Sequence, residues 1–172
     1  IWGATGIAYN ITHVPRIPMH WADLFNDLTD PVGEKLSIAL MDDGRFTMGV
    51  ALIALGFSPN TEKPAEIEAA GKFLMSLRER VDLVQTDRLV KRLEDESIHL
   101  ALATSGDVTR AMRRNKHLRL ALPPEGTLVF KDAFVMPLTP VERRAVAAGG
   151  ALNWGERHRN ALRFLNYLLE PE

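Results

Sequence analysis

The chain has 172 residues, a length that suits a single domain with a hydrophobic core of ordinary size. A composition of 46% hydrophobic and 25% charged residues excludes disordered and fibrous proteins, and 21 basic against 22 acidic residues argue against a nucleic-acid partner. The absence of cysteine excludes disulfides, thiolate metal sites and cysteine nucleophiles, and the apolar runs are too short for a membrane span.

Apolar runs of strand length alternate with segments of helical period, which is the pattern of an α/β fold. In chain order the predicted elements are strands at 6–9 and 36–41, helices at 47–56 and from 64 to about 80, a strand at 81–85, a helix at 87–94, a strand at 98–103, a helix at 107–114, strands at 118–122 and 127–136, and helices at 142–148 and 155–169. The helix that starts at Pro64 has an apolar stripe of Ile67, Ala70, Leu74 and Leu77. The residues expected to face inward on the last helix are Ala161, Phe164, Leu165 and Leu168.

The segment 100–112, LALATSGDVTRAM, ends a strand in a glycine turn and starts a helix at once. Such a helix N-terminus often binds an anion, because free N–H groups and the helix dipole point at the ligand. Asp107 already lies in this turn, so it could instead cap the helix or face a cationic ligand.

The common catalytic and phosphate-binding motifs are absent from the sequence, which contains no G-x-S-x-G elbow, P-loop or G-x-G-x-x-G. Its five histidines lack the spacing of metal ligands, and His99 is expected to pack within a strand or lie at its edge. The sequence therefore predicts a protein without catalytic residues, metal or cofactor.

Acidic residues follow several of the predicted strands. In open α/β sheets the ligand crevice lies beyond the C-terminal ends of the strands, so these carboxylates could point into one place. Asp132 lies inside the predicted strand 127–136, where a carboxylate needs water, a partner or a ligand. Each acid also has a structural interpretation, as a turn residue, a helix cap, a first-turn acid or a solvent-facing strand residue. The residues concerned are Asp42, Asp43, Asp87, Asp107 and Asp132.

Several segments carry a family resemblance when they are taken together and in order. They are IWGATGIAYN at 1–10, PMHWADLF at 18–25, KLSIALMDDGR at 35–45, ALIALGFSPNTEKPAEIEAA at 51–70, LALATSGDV at 100–108, PPEGTLVFKDAFVMP at 123–137 and ALRFLNYLLEPE at 161–172. With these segments the chain resembles the polyamine-binding branch of the periplasmic solute-binding proteins, the receptors of ABC importers.

The resemblance implies an α/β fold, namely one lobe of the type II periplasmic-binding-protein fold with a mixed sheet flanked by helices. In this family the first segment is where the chain crosses into the second lobe. Residues 1–172 are therefore expected to be the second lobe, without the first lobe and the C-terminal return segment. Such receptors hold their ligand in a cleft between two lobes and carry out no chemical step.

Compared residue by residue, the family's ligand site is only partly retained. Asp43 falls on an acid of the family's D-D-x-R-E turn, and Asp107 and Asp132 fall on the aspartates of its G-W-S-G-D and E-G-T-x-x-W-x-D segments. Phe46 replaces the glutamate of the first motif, and Thr104 replaces the tryptophan of the second. The resemblance thus implies three carboxylates at the ligand, with one acid and one indole lost.

Two further positions complete the implied ligand site. Phe130 replaces the tryptophan of the third motif, and Thr86 falls on a small hydroxyl residue near the ligand. A polyamine needs carboxylates for its ammonium groups and aromatic faces along its methylene chain. We therefore expect weaker polyamine binding, or a less highly charged cationic or amphipathic ligand.

The function that the resemblance implies is the ligand-binding lobe of an extracellular receptor for ABC import of polyamines or a related cationic solute. Its expected partners are that solute, the ABC permease in the membrane and the first lobe of the same chain. The expected location is periplasmic or extracellular, with any signal peptide lying before Ile1. The alternative is the ligand-sensing domain of a membrane-bound signalling receptor with altered specificity, which the flanking sequence would reveal.

Overall fold

The computed structural model describes residues 2–14, 16–26, 29–151 and 155–169. The chain divides into two compact units, Ile1–Lys131 and Asp132–Glu172, and each is described by itself. The strands of the first unit are β1 (Trp2–Asn10), β2 (Ile38–Met41), β3 (Val81–Val84), β4 (Leu100–Thr104), β5 (Leu118–Ala121) and β6 (Val129–Lys131). Its helices are α1 (Trp21–Phe25), α2 (Gly44–Ala54), α3 (Pro64–Ser76), α4 (Thr86–Glu94) and α5 (Ser105–Met112). The second unit contains α6 (Pro140–Ala147) and α7 (Glu156–Leu169).

The first unit is built on a mixed sheet with the strand order β3-β2-β4-β1-β5, and β6 pairs with the start of β1. Strand β2 runs parallel to β3 and β4, with Ile38 opposite Leu100 in the second pair. Strand β1 is antiparallel to β4, β5 and β6, and its Thr5 lies opposite Thr104. This mixed sheet with flanking helices confirms the predicted fold class.

The core of the first unit lies between the sheet and its helices. Strand β2 is buried along its whole length, and in β4 all but the last residue is buried, as expected for strands covered on both faces. Burying a large apolar side chain stabilises the fold by about 1.5–3 kcal/mol. The largest fully buried side chains are Trp21, Ile7, Leu24, Leu40, Leu89, Leu93, Ile98, Leu100, Leu102, Leu118, Val50 and Val108.

The predicted elements of the first unit are present, but several boundaries differ. Helix α2 begins at Gly44 rather than at residue 47, because Asp43 caps it. The predicted strand 127–136 is wrong beyond Lys131, because among the described residues the pairing of β6 with β1 covers only Val129–Lys131 and residues 2–4. Asp132 therefore follows the strand and does not lie inside it, which corrects the prediction that a carboxylate is embedded in an apolar strand. Short helix α1 was not predicted, since five residues are too few to show a helical period.

The apolar stripe of α3 is narrower than predicted. Ala70 and Leu77 are buried, but Ile67 is 41% exposed. Pro64 lies in the first helical turn as expected, where its missing N–H has no helical partner to lose.

In the second unit, Thr139 caps α6 and binds Glu142 reciprocally. The hydroxyl and the N–H of Thr139 each donate to Glu142 Oε2 at 2.7 Å, and these bonds lower the pKa of Glu142. On α7, Ala161 and Leu165 are half-buried as predicted, but Phe164 and Leu168 are exposed, so the inward-facing stripe of this helix is narrower than predicted. None of the helices in the described ranges has the length and apolarity needed to cross a membrane.

A stacked histidine pair lies where β1 ends and β4 begins. The rings of His13 and His99 are parallel, with 4.1 Å between centroids and 9° between planes. His99 Nδ1 accepts a hydrogen bond from the N–H of Ser37 at 3.3 Å. Burial, followed by the neighbouring His13, lowers the pKa of His99 below its ordinary value of 6.5. His99 is thus a packed residue, as the sequence predicted.

This pair predicts a pH dependence of stability. The unfolded chain protonates His99 near pH 6.5, whereas the folded chain does so only at lower pH, so this stabilisation is present above about pH 6.5 and is lost as the pH falls towards the lowered pKa. We expect His99→Gln to flatten the fall in the free energy of unfolding between about pH 7 and pH 5, measured by urea denaturation. The exposed His117→Gln variant is the control, and an equal slope in His99→Gln and the wild type would contradict the prediction.

Candidate functional site

One edge of the sheet in the first unit gathers most of the predicted site residues. Because β2, β3 and β4 are parallel, their C-terminal ends share this edge, and antiparallel β1 begins there. Strand β6 pairs with that beginning of β1. We call this region the ligand edge. It contains Asp43, Phe46, Thr86, Thr104, Asp107 and Phe130.

Asp43 is the N-cap of α2 at the end of β2. Its Oδ1 accepts hydrogen bonds from the N–H groups of Arg45 at 2.9 Å and Phe46 at 3.1 Å. Among the residues that the structure describes, none donates a hydrogen bond to Oδ2. The carboxylate is half-buried. Asp43 therefore fills its structural role with only one of its two carboxylate oxygens.

Thr104 and Asp107 form the start of α5 together. Thr104 is the N-cap and accepts from the N–H of Asp107 at 3.2 Å, while its hydroxyl donates to Asp107 Oδ2 at 2.7 Å. Asp107 is thus a first-turn acid and not the cap, which decides between the two structural interpretations. Arg110 Nη2 lies 3.5 Å from Asp107 Oδ1 and 3.9 Å from Asp87 Oδ1. A cationic ligand at Asp107 would have to compete with Arg110.

An aromatic pair covers another part of the ligand edge. Phe46 on α2 and Phe130 on β6 meet edge to face, with 6.0 Å between ring centroids. Both rings are half-buried. Gly3 on β1 lies directly opposite Phe130, and an added Cβ there would come within 2.4 Å of the ring's Cζ. The absence of a side chain at Gly3 therefore allows Phe130 to lie across β1 and reach Phe46.

We expect Gly3→Ala to push Phe130 away from Phe46. The new methyl group overpacks the ring at a cost of about 1 kcal/mol, the low end for such substitutions, because a ring can swing aside. Urea denaturation measures the loss of stability. Gly71→Ala is the matched control, since nothing lies within 4 Å of its added Cβ and alanine favours the helix.

A double-mutant cycle attributes that effect to the ring. If Gly3 acts through Phe130, the cost of Gly3→Ala disappears when Phe130 is already alanine. An unchanged cost in the Phe130→Ala background would contradict this assignment.

The remaining predicted residues are less closely placed. Thr86 is exposed in the first turn of α4, beyond the end of β3. Asp132 is exposed and belongs to the second unit. At the ligand edge, Thr104 contacts Asp107, Phe46 contacts Phe130, and Asp43 contacts the backbone of Phe46.

Sequence reasoning missed three residues that shape this edge. The hydroxyl of Ser105 accepts from the N–H of Ala4 at 3.3 Å and ties α5 to β1. Gly3 makes room for Phe130, and Arg110 neutralises part of Asp107. Arg110 could have been found from its spacing, because residues three apart on a helix are neighbours. Ser105 and Gly3 required the strand register.

Carboxylate oxygens and aromatic faces at one edge suit an organic cation. Charge-assisted hydrogen bonds hold ammonium groups, and ring faces attract both cations and methylene chains. Within the described ranges, no three His, Asp or Glu side chains come together as a group able to hold a metal ion.

Comparison with known proteins identifies the family. The family model described as bacterial extracellular solute-binding protein matches residues 2–172. The chain belongs to this family. The matched range confirms the family resemblance seen in the sequence. The description of the family refers to solute binding and names no enzymatic activity.

Individual relatives of this solute-binding protein carry more specific names. The spermidine/putrescine-binding periplasmic protein of Salmonella typhimurium is 29% identical over 173 residues, covering 100% of this chain and 44% of the relative. Spermidine/putrescine-binding periplasmic protein 1 of Haemophilus influenzae is 30% identical over 138 residues, covering 80% and 37%. The solute-binding protein therefore spans less than half the length of these curated relatives.

A solved structure shows the same fold. It is the substrate-binding protein of a spermidine/putrescine ABC transporter from Streptococcus pneumoniae, with a TM-score of 0.66 and 29% identity. The similarity covers 74% of this chain and 38% of that chain. The fold of one part of a periplasmic binding protein is thus present in this solute-binding protein.

Proposed function

We propose that the chain is the second lobe of a two-lobe extracellular receptor that passes a polyamine-like cation to an ABC permease. The observation that carries this proposal is the ligand edge, where Asp43 keeps one carboxylate oxygen for a ligand beside the Phe46–Phe130 pair. The names of the relatives, which refer to spermidine and putrescine, point to the same class of solute.

The side chains at the ligand edge favour a cation of modest charge. Phe46 offers a ring where the resemblance expects an acid, and Thr104 serves as a helix cap where it expects an indole. Asp107 is partly neutralised by Arg110 at 3.5 Å. A diamine or a monoamine with an apolar body suits this edge better than a longer polyamine with more ammonium groups.

The proposed site needs a second lobe. A cleft ligand is normally enclosed from two sides, and a single lobe supplies part of the contacts without closure. Asp132, at the start of the second unit, is proposed as a further ligand carboxylate in the assembled receptor. Binding by residues 1–172 alone is expected to be weak.

The proposed receptor acts by binding and release without a chemical step. It works outside the cytoplasmic membrane, where a permease can receive the solute. Its proposed partners are the cationic solute, the permease and the first lobe.

Isothermal titration calorimetry of the full-length receptor tests the proposal. Putrescine, cadaverine or spermidine should give saturable heat, and their binding should raise Tm with ligand concentration. Glutamate and inorganic phosphate are the anionic controls. Heat with an anion and none with any amine would overturn the proposed function.

A further inference from the structure

Basic side chains are concentrated on α5, the following turn and β5. Between Asp107 and Glu125 the sequence contains five lysines and arginines and no acidic residue, although the whole chain has a net charge of −1. These five residues are Arg110, Arg113, Arg114, Lys116 and Arg119. The positive charge is therefore local and is not a property of the chain as a whole.

Two of the five cations are already neutralised by neighbouring acids. Arg110 lies near Asp107 and Asp87, and Arg114 Nη1 lies 3.3 Å from Glu94 Oε2. Arg113, Lys116 and Arg119 have no carboxylate within ion-pair distance among the residues that the structure describes. These three charges are available to an outside partner.

The three unpaired cations line one depression on the surface of the first unit. This depression has a volume of about 540 Å³ and is open to solvent. We call it the basic patch, and its lining residues are Thr109, Met112, Arg113, Lys116 and Arg119. Arg119 Nη1 donates to the carbonyls of Lys116 at 2.8 Å and Leu118 at 2.7 Å, which fixes its guanidinium beside the turn.

The stability of α5 does not explain this arrangement. A cation at a helix C-terminus interacts favourably with the helix dipole, and Arg113 at the C-cap meets that need. Lys116 and Arg119 lie beyond the last turn of α5. The effect of the helix dipole is confined to that last turn and does not reach them. Like charges lining one depression repel each other, and an anionic partner would remove that repulsion.

We propose that the basic patch docks the protein on an anionic phospholipid surface. An open depression does not enclose a small anion, whereas a lipid surface offers many headgroups side by side. The long stems of Arg113 and Lys116 can lie along such a surface together with Met112 while their charged ends meet phosphates, and the guanidinium of Arg119 adds its positive charge from beside the turn. The proposal is independent of the solute that binds at the ligand edge.

Vesicle co-sedimentation of the full chain tests the proposal. The protein should bind phosphatidylcholine vesicles that contain about a third phosphatidylglycerol at about 50 mM salt, and it should be released at about 500 mM salt. Each cation near the surface contributes about fivefold, so replacing Arg113, Lys116 and Arg119 by Gln should lower the partition coefficient about a hundredfold. The control replaces Lys35, Lys72 and Arg78 by Gln, which removes the same charge from positions outside the basic patch, and should retain most of the binding.

Three results would overturn the proposal. One is equal binding by the two triple variants, which would show that net charge and not the basic patch is responsible. Another is release by inorganic phosphate that chloride of equal ionic strength does not produce, which would indicate a discrete anion site. The third is binding to polyglutamate without binding to vesicles, which would indicate an acidic protein partner. Circular dichroism of both triple variants checks that each is folded.

Discussion

Asp43→Asn is expected to weaken putrescine binding to the full-length receptor about ten- to hundredfold, the range that follows from losing one charged hydrogen bond. The carboxylate caps α2 through Oδ1, and Oδ2 has no donor among the described residues. Asparagine is an equally good N-cap, so it retains the hydrogen bonds to the backbone of α2 while removing the negative charge. The substitution therefore separates the proposed ligand role of Asp43 from its structural role.

Two measurements make this prediction decisive. Calorimetry gives the affinity for putrescine, and urea denaturation should show a free energy of unfolding close to that of the wild type. Glu68→Gln removes one negative charge from the exposed face of α3 and should leave the affinity unchanged. If Asp43→Asn bound putrescine as tightly as the wild type while remaining folded, Asp43 would not be the anchor of the ligand.

Strands and helices whose signals are local could be predicted from the sequence. LSIALM is apolar apart from Ser37, and the structure places buried β2 at its last four residues. Pro64 correctly indicated the first turn of α3. Proline is favoured there because an N–H in the first turn has no partner within the helix, so its absence costs nothing. These signals depend on the residues themselves and need no knowledge of the partner.

The lengths of the edge elements depend on their partners and could not be predicted. The pattern VFKDAFVM suggests a long strand, but β6 spans only Val129–Lys131, where it pairs with residues 2–4 of β1. A strand continues only while another strand supplies hydrogen bonds to it. The same reasoning explains why Asp132, which the sequence placed inside a strand, lies just after one.

The candidate site was predicted as separate residues, and the structure shows how they combine. Strand ends correctly indicated that Asp43 and Asp107 share an edge of the sheet. The contact between Phe46 and Phe130 could not be foreseen, because it depends on the register that places Gly3 opposite Phe130. Thr104 illustrates how a position implied to contact ligand also has a local role, since it caps α5 and binds Asp107.

Trp21→Ala is expected to lower the free energy of unfolding by about 3–5 kcal/mol, the usual cost of removing a buried indole. Trp21 is 0% exposed, and its Nε1 donates to the carbonyl of Gly126 at 2.8 Å. The substitution leaves a cavity beneath α1 and removes the donor from a carbonyl in the turn that leads to β6. Because β6 carries Phe130, the loss of this anchor should also loosen the aromatic part of the ligand edge.

Trp2→Ala is the matched control, because it removes the same side chain from a position that is 77% exposed. Its effect should be within about 0.5 kcal/mol, since surface substitutions seldom exceed that value. Urea denaturation of both variants gives the comparison. If Trp21→Ala lowered the free energy of unfolding by less than Trp2→Ala does, Trp21 would not be the anchor assigned here. A large loss at Trp21 alone would show that the short helix α1, which no periodicity revealed, stabilises the first unit through this buried indole and its hydrogen bond to the turn before β6.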